Sequence, residues 1–207
     1  MTTSRRGRLP AAQREARRAQ VIEAAFAELV EKGAAGVTMA GVARRADASK
    51  ETLYAWFGSR EQLIGELIRA NADASVERVR GALTSAPAEL STAREALTDY
   101  AVALLGLLTG PTSVELNRAA MGSPALAAQL LASGRHRVGP IVEEYLGRLA
   151  AAGQLANDDP AQAYRALYGL VVRDTQIRVL LGEDPPPAEQ ILLEARSAVG
   201  DFFTLYG

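Results

Sequence analysis

The sequence predicts an all-α protein, in which an N-terminal three-helix helix-turn-helix domain is joined by a long helix to a C-terminal helical domain. Aromatic residues make up only 5% of the 207 residues, and the composition otherwise favours helices. Apolar residues recur at helical spacing along most of the chain. Two short segments, starting after Thr38 and Ser49, each follow a residue type that caps helices. A chain of this length can bury one large core or two modest ones.

The boundaries follow from charge, glycines and prolines. We expect a flexible basic arm over residues 1–12, the helix-turn-helix domain over residues 13–60 and the C-terminal domain over residues 61–207. The first long helix of the N-terminal domain is predicted from an apolar stripe and should end at Gly33. The stripe consists of Val21, Ile22, Ala25, Phe26, Leu29 and Val30.

The second helix of this domain begins after Thr38. Thr38 can cap it, and Val37 and Val42 stand at the positions of a hydrophobic staple. The helix should end near Ala46, and its small residues let another helix pack closely across it. Residues 47–49 then form the turn.

The third helix is predicted over residues 50–57, with Ser49 as its cap. Leu53 and Phe57 are four residues apart and should face inward. The opposite side carries Lys50, Glu51, Tyr54 and Ala55. Residues 58 and 59 end this helix, and Ser59 with Gln62 forms a capping box for the next. That helix can run from Arg60 to about Leu83, on the order of 30 Å, which is long enough to link two domains.

Charge separates the two ends of the chain. The first 60 residues contain 11 Lys and Arg and 6 Asp and Glu, whereas the rest contains 12 basic and 18 acidic residues. The whole-chain net charge of −1 therefore conceals a basic N-terminal part, which suits phosphate. A basic N-terminus can also be no more than a solvated surface, so charge alone does not decide the function.

The motif SKETLYAWF at residues 49–57, followed by Ser59 and Arg60, resembles the DNA-binding domain of the TetR family of bacterial transcriptional regulators. The resemblance is strong over residues 14–70 and looser beyond. It implies a DNA-binding regulator that forms a homodimer, binds a double-stranded DNA operator and releases it when a small-molecule effector binds. The last two helices of each subunit in this family form a four-helix bundle with those of the partner.

The resemblance also assigns roles in DNA binding. Thr38, Thr52, Tyr54 and Arg60 match family positions that hold the phosphate backbone, and Arg60 stands at a helix N-terminus that favours anions. Lys50, Glu51 and Ala55 occupy the exposed positions nearest the bases. The lysine can donate to guanine, the carboxylate can accept from the cytosine amino group, and the alanine can contact the thymine methyl group. The predicted DNA-binding residues are Thr38, Ser49, Lys50, Glu51, Thr52, Tyr54, Ala55, Trp56 and Arg60.

Two positions, Glu51 and Asp47, differ from the family pattern. Glu51 replaces a glycine that the family uses for close approach to the backbone, which puts the groove contacts there in question. Asp47 replaces the turn glycine and should cost a modest amount of stability, since aspartate tolerates the left-handed conformation less well. Trp56 stands where the family has histidine or another aromatic, and it can serve equally as a backbone contact or as a core residue.

Prolines and glycines divide the C-terminal domain. We predict helices over residues 88–108, 113–121, 124–133 and 140–153, the last one beginning at Pro140. Two long helices, over residues 160–181 and 187–206, should flank a proline-rich turn and pair antiparallel.

These last two helices each present a broad apolar face. We predict a dimer interface from Tyr164, Tyr168, Val172, Thr175, Val179, Ile191, Ala195, Val199 and Phe202. The alternative is that both faces complete the core of a single chain.

A ligand cavity is expected among the middle helices, formed by apolar side chains with a few polar groups. The candidate residues are Tyr100, Leu104, Leu108, Asn117, Arg118, Met121 and Tyr145. They favour a largely apolar small molecule, although most of them are equally suited to an ordinary core.

Other classes of protein fit the sequence less well. There is no cysteine and only one histidine, so cysteine nucleophiles, disulfides and cysteine-ligated zinc are excluded, and we expect no catalytic residues, metal or cofactor. The most apolar run, residues 101–108, is too short to cross a bilayer, and the basic N-terminus lacks the apolar core of a signal peptide. We therefore expect a soluble cytoplasmic protein. A helical enzyme and a DNA-binding protein without a ligand are the alternatives, and a C-terminal domain without a pocket would favour the second.

Overall fold

The computed structural model describes residues 11–83, 90–156 and 159–207, and these residues form eleven helices and no strand. The all-α prediction is therefore confirmed. The chain divides into two compact units, residues 1–67 and residues 68–207, which we call the N-terminal and C-terminal units. Most of the predicted arm lies outside the described residues, and its last two residues, Ala11 and Ala12, begin the first helix.

The N-terminal unit contains α1 (Ala11–Gly36), α2 (Met39–Arg45), α3 (Lys50–Phe57) and the start of α4 (Arg60–Ala82). Gly33 has φ 69° and ψ 168°, which are not helical, so the predicted end of the first long helix at Gly33 coincides with a kink, and a short further segment continues to Gly36. Val30 is 46% exposed and does not belong to the inward stripe. The core of this unit includes Val21, Ala25, Leu29, Val37, Val42, Leu53, Phe57, Leu63, Ile64 and Leu67.

The predicted helix caps of the N-terminal unit are confirmed. The Thr38 hydroxyl accepts a hydrogen bond from the Gly41 amide at 3.0 Å, and the Ser49 hydroxyl accepts one from the Thr52 amide at 3.1 Å. Ser59 likewise accepts from the amide of Gln62. Asp47 adopts a φ of 48° in the turn, so an aspartate occupies the left-handed conformation that glycine favours. These caps fix where α2, α3 and α4 begin.

The C-terminal unit is a bundle of helices. It contains α5 (Leu90–Thr109), α6 (Pro111–Met121), α7 (Pro124–Ser133), α8 (Arg135–Ala151), α9 (Pro160–Val172), α10 (Thr175–Leu180) and α11 (Ala188–Tyr206). Helix α11 packs against both α5 and α9, and α8 packs against α9. Fully buried Leu97, Leu105, Leu149, Leu167 and Phe202 lie at the centre of this core.

Helix α8 begins five residues earlier than predicted, at Arg135, and contains Pro140 in its second turn. Gly139 explains why the proline is tolerated, because a residue without a Cβ avoids the clash that disfavours helix before proline. The same glycine lets α9 approach closely, since a Cβ there would lie 3.1 Å from a ring carbon of Tyr164. Pro140 therefore lies inside the helix and does not start it.

The single helix predicted over residues 160–181 is broken. Arg173 has φ 46° and ψ −128°, and this separates α9 from α10. No glycine or proline marks the position, so the sequence carried no signal for the break. A non-glycine residue in this conformation is strained, typically by about 1–3 kcal/mol.

The faces predicted to form the dimer interface are covered within one chain. Tyr164, Val172, Thr175, Val179, Ile191, Ala195, Val199 and Phe202 are buried, and Tyr168 is half-buried. Helical periodicity identifies an apolar face, but it does not say whether the same chain or a partner covers it. The named residues therefore contribute to the core of one chain, and their place in a dimer interface stays a prediction. Dimerisation itself stays a prediction.

The described ranges contain neither a candidate membrane-spanning helix nor a candidate metal-binding cluster. No helix there combines enough length with enough apolar character to cross a bilayer. Within the same ranges, no three side chains of the ligand-forming types come together as a metal site would require.

Candidate DNA-binding surface and ligand cavity

Helix α3 presents one exposed side, which we call the α3 surface: Lys50, Glu51, Tyr54 and Ala55. All four side chains are exposed, and Tyr54 retains 53% of its accessible area. Leu53 and Phe57 on the opposite side are buried, as the spacing predicted. A capped helix that is held by its inner side and polar on its outer side has the form that enters a major groove.

The first turn of α3 carries a permanent negative charge. The backbone amide of Glu51 and the Ser49 hydroxyl both lower the pKa of the Glu51 carboxyl, the amide more strongly. The carboxylate is therefore ionised at neutral pH, where it can accept a hydrogen bond from a base amino group and repels phosphate. The Ser49 and Thr52 hydroxyls lie 3.0 Å apart, so the cap and its neighbour are linked.

Arg60 is already bound to the protein backbone. Its Nε donates to the Val37 carbonyl at 2.7 Å, and its Nη2 donates to the Ala34 carbonyl. The side chain therefore ties the start of α4 to the connection between α1 and α2, next to Thr38. A phosphate contact by this exposed guanidinium stays a prediction.

Trp56 is half-buried and packs edge-on against Phe57, with ring centroids 6.4 Å apart. Its inner part thus supports the core of the N-terminal unit, while the remainder is accessible. Both predicted roles for Trp56 remain open.

The C-terminal unit encloses a cavity of about 250 Å³. Its apolar wall contains Leu104, Leu107, Leu108, Leu130 and Val138. Its polar groups are Asn71, Ser75, Arg78, Tyr100, Ser113, Asn117, Arg135, Tyr164, Tyr168 and Gln176. Small-molecule sites are usually apolar cavities with a few polar groups. This cavity carries more polar groups than that, and its volume lies just below the usual range of about 300–1,000 Å³.

The structure brings together four of the predicted ligand residues, Tyr100, Leu104, Leu108 and Asn117. The other three, Arg118, Met121 and Tyr145, do not line this cavity.

Met121 is 67% exposed at the end of α6. Arg118 donates to the carbonyls of Val179 and Leu180 and pairs with Glu115, so it joins α6 to α10. Tyr145 is fully buried in the core. Helical spacing in the sequence could not distinguish residues that line the cavity from residues in the core beside it.

Sequence reasoning missed the aromatic and cationic end of the cavity. Tyr164 and Tyr168, one turn apart on α9, pack edge-on with ring centroids 6.1 Å apart. The Arg135 guanidinium lies 4.0 Å from the Tyr168 ring centroid and 5.7 Å from that of Tyr164. These tyrosines had been assigned to the dimer interface, and their spacing alone gave no sign of a cavity.

Comparison with protein families identifies the chain. The model of bacterial regulatory proteins of the tetR family matches residues 21–67, which include α2, α3 and their caps. The model of the AefR-like transcriptional repressor C-terminal domain matches residues 95–207, more than half of the chain. The chain belongs to the TetR family.

Solved structures support this assignment over nearly the whole chain. A TetR transcriptional regulator from Agrobacterium tumefaciens is 34% identical, with a TM-score of 0.76, and the match covers 92% of this chain and 94% of that one. The flavonoid-responsive regulator FrrA is 27% identical, with a TM-score of 0.67 and coverages of 93% and 97%. A putative TetR-family regulator from Mesorhizobium loti has the same fold, with a TM-score of 0.82 at 23% identity and coverages of 96% and 100%. A search of the curated proteins returned no match. The relatives named by these comparisons are transcriptional regulators and not enzymes.

In this TetR-family chain, two arginines of α1 have structural roles that the charge count did not reveal. Arg17 donates to the carbonyls of Ala46 and Asp47 at 2.7 and 2.5 Å, which satisfies the end of α2 and holds the turn. Arg18 lies 5.1 Å above the Phe57 ring and pairs with Glu66 at 2.9 Å. Part of the basic charge of the N-terminal unit therefore stabilises the helix-turn-helix itself.

Glu28 is the least expected residue of the TetR-family DNA-binding unit. It is 2% exposed, and its carboxylate accepts from Lys32 at 2.5 Å and from Arg45 at 3.1 Å. A Cβ on Gly41 would lie 2.1 Å from a Glu28 oxygen, so this glycine leaves room for the carboxylate. The Lys32 hydrogen bond is the main cause of the lowered pKa of Glu28, and burial acts against it. In the sequence, Glu28 and Lys32 are four residues apart, a spacing that is typical of ion pairs on the surface of a helix. This spacing gives no sign that Glu28 is buried.

Proposed function

We propose that this chain is a ligand-responsive repressor that binds a palindromic operator as a homodimer and leaves it when a largely apolar small molecule binds. The observation that carries the proposal is the exposed α3 surface on a doubly capped helix within the part of the chain that matches the TetR DNA-binding model. Its chromosomal target would place the protein in the cytoplasm.

The groups available on the α3 surface suit both kinds of DNA contact. Tyr54 and Lys50 can donate to phosphate, and Lys50 can also donate to the O6 and N7 acceptors of guanine. Glu51 accepts from a cytosine amino group, and Ala55 can contact a thymine methyl. Arg60, Thr38 and Thr52 complete the predicted backbone contacts.

Exposed apolar groups on α11 support dimerisation through that helix. Leu193 is 60% exposed, and Gly200 lies seven residues later on the same face. A Cβ on Gly200 would meet no atom within 4 Å, so nothing inside the chain requires glycine there. Glycine inside a helix costs about 1 kcal/mol relative to alanine, and close approach of a partner helix would offset that cost. Gly169 on α9 is exposed and equally unobstructed.

Leu193→Glu should therefore shift the protein from dimer to monomer, because each subunit would bring a charge into an apolar interface. Light scattering coupled to size-exclusion chromatography would measure the mass against the 21.9 kDa of one chain. Met121→Glu is the matched control, since Met121 has similar exposure but lies on α6. A wild-type protein that is monomeric at micromolar concentration, or a Leu193→Glu dimer as stable as the control, would contradict this interface.

The cavity supports a small-molecule effector and makes a purely constitutive DNA-binding protein the weaker alternative. FrrA, at 27% identity, is by name responsive to flavonoids, which supports an organic effector for this chain. Helix α4 begins at Arg60 in the DNA-binding unit and contributes Asn71 and Ser75 to the cavity wall. A ligand can therefore change operator affinity through this helix if it binds the DNA-released conformation of the protein more tightly than the DNA-binding conformation.

Nuclease protection on the DNA upstream of the protein's own gene tests the proposal. We expect two protected half-sites of inverted sequence, about 10–10.5 base pairs apart or a multiple of this, because dimeric helix-turn-helix proteins contact successive major grooves. Nonspecific competitor DNA should leave this protection intact. If no promoter fragment shows protection above the nonspecific level, the DNA-binding proposal is wrong.

A further inference from the structure

One end of the cavity is built from hydrogen-bond donors. Tyr100 on α5, Tyr164 and Tyr168 on α9, and Arg135 at the start of α8 all line it. Leucines of α5 and α7 form much of the apolar lining. The lining therefore combines apolar side chains with a cluster of donors from α5, α8 and α9.

The Tyr100 hydroxyl is buried without a hydrogen-bond partner among the described residues. The residue is only 1% exposed. The Tyr164 hydroxyl lies close by, and a weak hydrogen bond between the two hydroxyls is one of the smaller causes of the raised pKa of Tyr100, but this contact falls outside ordinary hydrogen-bond geometry. A buried polar group without a partner costs about 1–3 kcal/mol, so a ligand acceptor that reached this hydroxyl would recover that cost.

Both tyrosines are neutral donors at physiological pH. Burial is the main cause that raises the pKa of Tyr100 well above its ordinary value, and burial also raises the pKa of Tyr164. The nearby Arg135 charge acts in the opposite direction on both groups. Neutral phenols keep their protons, so they favour a ligand that brings an acceptor.

Arg135 adds a positive charge at the same end. It stacks on the two rings of α9, and within the described ranges it forms no ion pair. No aspartate or glutamate lines the cavity, whereas Arg78 does. Glu143 acts weakly on Tyr164 from outside the lining. An anion bound here would meet a guanidinium that no carboxylate of the lining neutralises.

The N-terminus of α8 reinforces this preference. Gly134 and Arg135 both border the cavity, and no side chain caps the first turn of this 17-residue helix. The first amides of a helix and its dipole favour a negative charge. The unpartnered Tyr100 hydroxyl and this helix end are independent features that favour the same kind of ligand.

We propose that the effector of this cavity is a small amphipathic carboxylate. Its carboxylate accepts hydrogen bonds from Tyr100 and Tyr164 and pairs with Arg135, while its apolar body lies against Leu104, Leu107 and Leu130. The one guanidinium beside the tyrosine rings, that of Arg135, suits a monoanion, and a volume of about 250 Å³ suits a small aliphatic or aromatic acid. The proposal rests on the proposed function, since it names the ligand class of the same site.

Calorimetric titration of the full-length protein without DNA tests the anion site directly. The probes are octanoate, decanoate and 4-butylbenzoate, each compared with its uncharged methyl ester. We expect the acids to bind at least about tenfold more tightly than the esters, because hydrogen bonds to a charged group contribute about 1.5–3 kcal/mol.

Tyr100→Phe and Arg135→Gln should each weaken binding of the acids by about tenfold or more and weaken ester binding less, because an ester carbonyl is an uncharged acceptor. Tyr145→Phe is the matched control for the first, because Tyr145 is also fully buried with an unpartnered hydroxyl but does not line the cavity. Arg137→Gln is the control for the second, since Arg137 is two residues away, exposed and paired with Asp73. Thermal unfolding of each variant checks that the fold is retained.

Equal affinity for acids and esters, or unchanged affinity in Arg135→Gln, would overturn the carboxylate site. Failure of every acid in the series to bind would overturn it as well. A parallel measurement of operator release separates the two proposals. Acids that bind through Arg135 without releasing DNA support the site and contradict the effector mechanism, whereas release by neutral ligands alone supports the mechanism and contradicts the carboxylate site.

Discussion

Tyr54→Ala should weaken specific operator binding by roughly 30- to 150-fold. Tyr54 is the most accessible aromatic side chain of α3, and it lies at the middle of the α3 surface. Loss of one phosphate hydrogen bond with its packing costs about 1–1.5 kcal/mol, and a dimer loses it twice. Because Tyr54 is exposed and not part of the core, the substitution should leave folding intact.

Two further variants separate the contributions on this surface. Tyr54→Phe keeps the ring and removes the hydroxyl, so it isolates the phosphate hydrogen bond. Lys50→Ala distinguishes a base contact from a phosphate contact. Loss of a guanine contact costs about 1–3 kcal/mol and relaxes specificity at one base pair. Loss of a phosphate contact weakens binding to all DNA sequences alike and lowers the salt slope by about one unit.

Fluorescence anisotropy with a labelled operator, at several salt concentrations, would measure these affinities. Arg165→Ala is a suitable control, because it removes an exposed charge on α9 in the C-terminal unit. If Tyr54→Ala binds the operator as tightly as the wild type, then α3 does not hold the DNA and the proposed contact surface is wrong.

The N-terminal unit could be predicted closely because short-range rules determine it. Thr38, Ser49 and Ser59 each precede a helix by one residue, and each accepts the expected amide hydrogen bond. The inward and outward sides of α3 follow from a spacing of four residues. Such rules act within one helical turn, so a single sequence contains the information that they need.

The roles that depend on tertiary contact could not be predicted. Arg60 is predicted to bind phosphate, and Arg17 belongs to the basic N-terminal part, yet both donate to backbone carbonyls of distant segments. The apolar faces of α9 and α11 suggested a dimer, whereas α5 and other helices of the same chain cover them. The break at Arg173 has no local signal at all, because the chain accepts strain there without glycine or proline.

The cavity illustrates the same limit. Leucines that line it and leucines in the core beside it share one helical spacing, since a helix places both on its inner side. Tyr100 and Tyr145 are equally buried, and only the packing of α8 and α9 around them decides which one borders the cavity. The sequence could thus predict the candidate ligand residues as a group, but it could not tell which of them line the cavity and which belong to the core.

Glu28→Ala should destabilise the DNA-binding unit by about 2–3 kcal/mol. Removing one partner of a buried ion pair costs up to about 3–5 kcal/mol, and the effect is smaller here because Lys32 and Arg45 are about one-third exposed and can be hydrated. Glu31→Ala is the matched control: Glu31 also pairs with Arg45 but is 57% exposed, so its loss should cost less than about 1 kcal/mol. Trp56, the only tryptophan, lies in this unit and reports its unfolding by fluorescence in denaturant.

The pH dependence of the same variant pair tests the charge of Glu28 separately from its volume. The pKa of Glu28 is lower in the folded state, chiefly through Lys32, so its contribution to stability is complete above the unfolded value of about 4.5 and is lost as the pH falls through the folded pKa. Glu28→Gln preserves the size of the side chain and lacks this ionisation. We therefore expect the difference in unfolding free energy between wild type and Glu28→Gln to be constant near neutral pH and to shrink below about pH 4.5. If the unfolding free energies of wild type and Glu28→Gln differ by the same amount at every pH down to about 3, then the buried carboxylate stabilises the unit by packing alone.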